Sequence, residues 1–180
     1  MASQVPDFYN LVADQGLSRD FLFRVQTMSI NGIDPVGINK KLILARAASF
    51  PGRTIEDKIA NYGGHEFHLG GRATYSQSEG YPIEFYCEEG AEVRTLLESG
   101  SRSTFDVMDG QGGAFGINAD DVITLQLLNQ QFKGQMNITL HGVSIRDIGD
   151  IDYLIADGTG EIVKFPVTFA YQFYKIGGPQ

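Results

Sequence analysis

Ten residues near the C-terminus, Phe165-Pro-Val-Thr-Phe-Ala-Tyr-Gln-Phe-Tyr174, place a bulky apolar side chain at every second position. Alternate residues of an extended strand point to opposite sides, so Phe165, Val167, Phe169, Tyr171 and Phe173 share one face. Pro166, Thr168, Ala170, Gln172 and Tyr174 share the other. Such a period of two describes a strand with one face in a core and one outside it. The second face, with Thr168 and Gln172, fits a solvated polar face.

Shorter segments repeat the pattern. Strands are expected over 19–30, 42–48, 54–62, 66–69, 72–75, 81–87, 122–128, 135–145 and 162–176. Turns are expected at Asn31-Gly32, Phe50-Pro51-Gly52, Gly63-Gly64 and Gly70-Gly71, where Gly supplies the backbone angles a tight turn needs. One main helix is expected over 88–99, with an acidic start, Ala91, Val93, Leu96 and Leu97 within it, and Gly100 as its stop. A short N-terminal helix is expected over 5–16, inside an extension covering 1–17. The glycine-rich stretch 101–121 reads as a long exposed loop. The expected architecture is mainly β: an antiparallel two-sheet sandwich or barrel with one main α-helix, in a single domain over 1–180.

The chain of 180 residues is long enough for one substantial core, and 42% hydrophobic against 20% charged residues suits an ordinary folded domain. A net charge of -8 and a pI near 4.8 argue against gripping nucleic acid by neutralising phosphates. The single Cys87 has no partner for an internal disulfide, which points to a reducing compartment. The N-terminal sequence lacks a basic segment followed by an apolar one, so neither a signal peptide nor membrane insertion is expected.

No chemistry-bearing constellation is found. His65 and His68 point to opposite faces of an extended strand, without carboxylates or thiols at ligand spacing. Asp150, Asp152 and Asp157 are out of register for a calcium loop. Gly110 to Gly116 lacks the spacing and the Lys-Ser or Lys-Thr pair of a phosphate loop. Cys87 and His141 have no activating neighbours in sequence. Catalytic, metal and cofactor sites are therefore expected to be absent.

The order of the patterned segments carries a resemblance. Phe21-Leu-Phe-Arg-Val-Gln26, Ala47-Ala-Ser-Phe-Pro-Gly52, Ile59 to Gly64 with Phe67 to Gly71, and Ile83-Glu-Phe-Tyr86 before the helix are similar to successive segments of one family. So are Met136 to Val143, Ile148-Gly-Asp-Ile-Asp152 and Gly160 to Tyr171. The sequence from about 18 to 176 resembles the tail tube protein of contractile-tailed, T-even-type bacteriophages. Departures lie in the N-terminal extension, in 32–41 and in the loop after the main helix.

The resemblance implies a virion subunit, assembled in the host cytoplasm, that forms hexameric rings stacked into a hollow tube. Its expected partners are other copies, a contractile sheath, a baseplate and a tube terminator, with DNA passing through without stable binding. Tubes of pyocin-like, extracellular or type VI injection machines share the implied fold, and a soluble β-barrel binding module is a different reading. An acidic lumen would repel phosphates; Glu84, Asp120 and Asp121 are candidate lumen-facing acids, and each also fits an ordinary surface charge. Candidate contacts between subunits or rings are Arg19, Lys40, Lys41 and Arg46, with Phe105, Met108 and Phe115 from the long loop. Those apolar residues also fit a small core within the same subunit.

Overall fold

A computed structural model describes residues 10, 12, 19–106, 111–112, 118, 120–153 and 160–178. Two four-stranded antiparallel sheets form an open sandwich. The first sheet has the order β1 (Phe23–Ser29), β8 (Val122–Leu128), β9 (Gly134–His141), β12 (Phe173–Gly177). The second runs β10 (Ser144–Ile148), β11 (Lys164–Ala170), β5 (Tyr81–Tyr86), β2 (Ala45–Ala47). Ile123, Leu125 and Leu140 from the first sheet meet Ile83, Phe85, Phe165, Val167 and Phe169 from the second in one buried core. Phe85 and Phe165 stack with ring centroids 6.0 Å apart. The expected sandwich is present; the sheets do not close into a barrel.

The opening pattern spans two strands. Phe165, Val167, Phe169 and Tyr171 are buried as expected, but β11 ends at Ala170 and the chain crosses to the first sheet. Tyr171 N–H donates to Ser78 O and Gln172 N–H to His141 O, and this corner turns Phe173 out of the core to 37% exposure. The expected strand over 135–145 divides in the same way: β9 and β10 belong to different sheets, and Gly142 makes the corner with φ 65°. In β1, Val25 and Met28 both face inward although they are three positions apart, because a bulge between Val25 and Thr27 shifts the phase.

Among the described residues, β3 (Arg53–Tyr62) and β4 (His65–Tyr75) pair only with each other, as a long ribbon. Gly63-Gly64, both at positive φ, form its two-residue turn, as expected. Gly70-Gly71 is not a turn: β4 runs through it with a bulge, where a Cβ on Gly71 would lie 2.8 Å from Glu56 O.

Two helices pack against the sandwich. The main one, α2, spans Glu92–Thr104 and runs through the expected stop at Gly100. Gly100 is buried there because the chain passes close: a Cβ would meet Ile33 Cγ1 at 2.4 Å. The helix starts four residues later than expected, and Glu88 instead accepts from Val93 N–H at 3.0 Å. A shorter α1, Pro35–Lys41, lies within the segment for which no element was expected; Asp34 caps it, accepting from Val36 and Gly37 N–H. The expected strand over 42–48 is a 3-10 turn (Leu42–Leu44) followed by the three residues of β2. In the expected loop 101–121, the helix occupies the first four residues, and the backbones of β6 (Phe105–Asp106) and β7 (Gln111–Gly112) pair. The expected N-terminal helix falls largely outside the described residues; Asn10 and Val12 are helical.

Two buried tyrosines fasten the root of the ribbon to the core. Tyr171 Oη donates to Ser76 O at 2.5 Å, and Tyr81 Oη donates to Ser49 O. Burial pushes Tyr171 up to about 12 and Tyr81 still further, so both remain protonated donors at ordinary pH. A raised folded-state value favours the neutral phenol. Its stabilising contribution is therefore complete below the unfolded value of about 10 and is lost as pH rises through the folded one. Urea midpoints should hold to about pH 10 and fall steeply above it. The fall should be shallower for Tyr81→Phe/Tyr171→Phe, and identical profiles would remove these phenols as its cause.

Candidate assembly surface

The ribbon has two unlike faces. Lys58, Ala60 and Tyr62 oppose Leu69, Phe67 and His65, so these six share one side, and on it Tyr62 is 81% exposed, with Phe67 and Leu69 also open to solvent. The other side carries Asp57, Ile59, Asn61, Glu66 and His68, with His68 Nδ1 2.5 Å from Asp57 Oδ2. An isolated two-stranded hairpin is only marginally stable in water. An apolar face held out on one is a surface shaped for cover.

The outer face of the first sheet is of another kind. Direct cross-strand pairing gives three rows: Thr27, Thr124, Thr139 and Lys175; Arg24, Gln126, Asn137 and Gly177; Ser29, Val122, His141 and Phe173. Hydroxyls and amides dominate, and no carboxylate stands in these rows. Arg24 Nε donates to Gln126 Oε1 at 2.9 Å and Gln126 Nε2 to Asn137 Oδ1 at 2.8 Å. This ladder crosses three strands and leaves Gln126 2% exposed. His141 stacks on Phe173 with centroids 4.9 Å apart.

The two edges of this sheet differ. At β1, Asn39 of α1 takes the Met28 N–H at 2.8 Å, so part of that edge is already occupied. At β12 no strand among the described residues pairs with the edge, and Ile176 is exposed beside it. An open edge presents backbone donors and acceptors to another strand.

The three candidate acids do not gather on one face. Glu84 lies on β5 of the second sheet, ion-paired by Arg46 and by Lys164 at 3.7 Å. Asp120 is exposed in the turn before β8. Asp121 is buried and accepts from Asn31 N–H at 2.9 Å. Burial pushes its carboxyl above the usual range, the Asn31 bond opposes this, and Asp120 adds to the rise. Its geometry is that of a structural acceptor tying the start of β8 to the β1–α1 turn.

Of the candidate contact residues, Lys41 and Arg46 have partners inside the chain. Lys41 Nζ reaches Glu88 at 2.9 Å and Glu92 at 2.5 Å, and Arg46 holds Glu84. Lys40 is exposed, and the Arg19 guanidinium lies 6.0 Å from the Phe21 ring centroid. Phe105 is described by its backbone alone; Met108 and Phe115 lie outside the described residues. Exposed aromatics that are not among these candidates include Tyr62, Phe67, Phe132 and Tyr153. The Gly63-Gly64 turn between long flanks signals the ribbon, whereas nothing local marks Phe132.

Among the described residues, no group of three or more His, Cys, Asp or Glu side chains is placed to hold a metal ion. No helix of theirs is long and apolar enough to cross a membrane.

No protein-family model and no curated protein sequence matches the chain. Solved structures do. A chain in the 6-fold symmetrised cryo-EM structure of the anti-feeding prophage baseplate aligns with TM-score 0.61 at 15% identity, over 90% of this chain and 96% of that one. A chain of the sheath/tube terminator of an extracellular contractile injection system, PVC, gives TM-score 0.56 at 11% identity, over 90% and 97%. A chain of the PVC sheath-tube complex in the extended state gives 0.54 at 11%, over 94% and 97%. At these identities the likeness is one of fold, and it spans nearly the whole of each chain.

Proposed function

We propose that this chain, whose fold is that of contractile-injection tube and terminator components, is itself a structural subunit that polymerises into the hollow inner tube of a contractile phage-type tail. The observation that carries this reading is the β3–β4 ribbon: strands of ten and eleven residues, over about 30 Å long, with an apolar face that no described residue covers. A ribbon on one subunit that fits a different surface on the next makes a head-to-tail contact. Such contacts generate rings where the rotation closes and open-ended filaments where it does not. The open β12 edge supplies a second route, by which the first sheet extends from copy to copy.

On this reading copies form stacked hexameric rings within a sheath, on a baseplate and beneath a terminator, and the lumen conducts DNA in a virion. The lumen is assigned to the outer face of the first sheet, because that sheet has an edge at β12 that no described strand pairs and its outer face is polar. Its hydroxyls and amides, with Arg24 and Lys175 as the cations, replace the acidic lining expected from the sequence. Neutral hydroxyls and amides offer phosphates hydrogen bonds but release no counterions, so they hold DNA weakly, and two cations per subunit give a salt-dependent drag.

The test is electron microscopy of the purified protein across a concentration series. Hollow tubes of uniform width are expected, with Thr124 and Thr139 on the channel wall of a reconstructed map. Monomers at every concentration, with a baseplate nucleus present, would refute the polymer; tubes with these threonines facing outward would refute the lumen assignment alone.

A further inference from the structure

Among the described residues, the β3–β4 ribbon meets the sandwich near its root. β3 is exposed at every residue but Glu56, and the half-buried residues of β4 gather toward the root, at Gly71 and from Ala73 to Tyr75. With strands over about 30 Å long, a turn of about 10° at the root carries the tip about 5 Å. What holds the root therefore decides where the apolar face is presented.

Two kinds of bond meet there. The first joins the two legs of the ribbon to each other. Gly52 N–H donates to Ser76 Oγ at 2.7 Å, Ser76 N–H donates to Gly52 O at 3.0 Å, and Ser49 Oγ donates to Gln77 Oε1 at 3.0 Å. Gln77 stands at φ 58°, a region uncommon outside glycine, and such strain persists where the surrounding structure over-determines it.

The second kind joins each leg to the sandwich. Tyr81 Oη holds the leg that enters β3, through Ser49 O, and Tyr171 Oη holds the leg that leaves β4, through Ser76 O. Tyr81 opens β5, and Tyr171 sits at the corner between the sheets, where its own N–H donates to Ser78 O at 2.8 Å. The two rings pack edge-on with centroids 6.0 Å apart, and both are buried in the core, so neither hydroxyl can follow a swinging ribbon. A lever held at two points pivots about neither.

We infer that Tyr81 and Tyr171 are positioning residues for assembly, whose hydroxyls fix the direction of the ribbon before it meets another copy. The inference rests on the polymer reading above and adds where its preorganisation lies. An arm already in place loses less conformational freedom on making a contact, so the lock lowers the concentration at which copies join. Ser49 and Ser76 are exposed residues, so water takes up their carbonyls when the phenols are removed and the subunit still folds.

The test is Tyr81→Phe/Tyr171→Phe, which keeps both rings and removes both hydroxyls. In a Cys87→Ser chain, Asn61→Cys near the ribbon tip and Thr95→Cys on α2, both exposed positions, carry nitroxide labels whose separation is read by electron spin resonance below any assembly. A single narrow distance is expected with the tyrosines and a broadened or displaced one without them. Tubes of the phenylalanine variant should need a roughly tenfold higher concentration, the size of such ordering costs. Ile123→Val, a modest core change in the other sheet, should leave distance and threshold at their wild-type values; if it moves them equally, the effect is one of general stability and the assignment falls. An unchanged distance in the phenylalanine variant would overturn the lock, and a broadened one with an unchanged threshold would overturn its part in assembly. Tyr171→Phe alone makes the same comparison for one leg should the double variant not fold. A wild type that never polymerises, even with a nucleus, would overturn the polymer reading and with it the role in assembly, while the distances still decide the lock.

Discussion

Phe165→Ala should destabilise the isolated subunit by about 3–5 kcal/mol, the usual cost of removing a fully buried aromatic side chain, whereas Phe173→Ala should cost under about 1 kcal/mol. The two residues occupy equivalent places in the alternating pattern, eight positions apart. Phe165 is fully enclosed against Phe85 in the core of the sandwich. Phe173 stands on the outer face of the other sheet, stacked on His141. For a domain of this size the first loss corresponds to a fall in melting temperature of roughly 10 °C. Urea titrations of the two variants and the wild type, at concentrations below any assembly, make the comparison. Equal losses would mean that the strand runs unbroken through 171–172 and that the crossing between sheets is wrong.

On the polymer reading, replacing Tyr62, Phe67 and Leu69 together with serine should abolish polymerisation while leaving the subunit's stability within about 1.5 kcal/mol of the wild type, about 0.5 for each exposed position. These three side chains lie on one face of the ribbon and take no part in the core cluster. Removing them costs the monomer little and the assembly most of an aromatic interface, where a few anchors carry most of the energy. Light scattering reads the polymer and circular dichroism reads the fold. Normal tubes from the triple variant would show that the ribbon is not the contact. A variant that no longer folds would show that the ribbon face belongs to the core of the subunit after all.

These experiments separate what is readable locally from what is not. The alternation of Phe165, Val167 and Phe169 and the double glycine at Gly63-Gly64 depend on neighbours along the chain, and both appear as expected. Asp34-Pro35, a cap followed by the residue best suited to a first helical position, was equally local and marks α1. Gly100 misled because glycine serves two purposes. It ends helices by adopting backbone angles other residues avoid, and it lies inside them where another chain passes too close for a side chain. Choosing between the two requires knowing that Ile33 lies against it.

The candidate site was legible only in part. The sequence named Glu84 and Arg46 for different roles, and the structure pairs them with each other. It named Arg19, which borders a groove together with Phe21 and Phe132, and passed over Phe132, because an exposed phenylalanine in a turn looks like any other until its backbone angle and neighbours are known.

By itself, then, the sequence determined that this protein is mainly β and antiparallel with a patterned core, because side-chain alternation is a property of each strand alone. Which strands share a sheet, where Tyr171-Gln172 and Gly142 carry the chain from one sheet to the other, and which aromatic side chains remain uncovered were decided by the tertiary structure. Each of those depends on pairing between residues far apart in the chain, and a single crossing or bulge reverses the face of every residue that follows it.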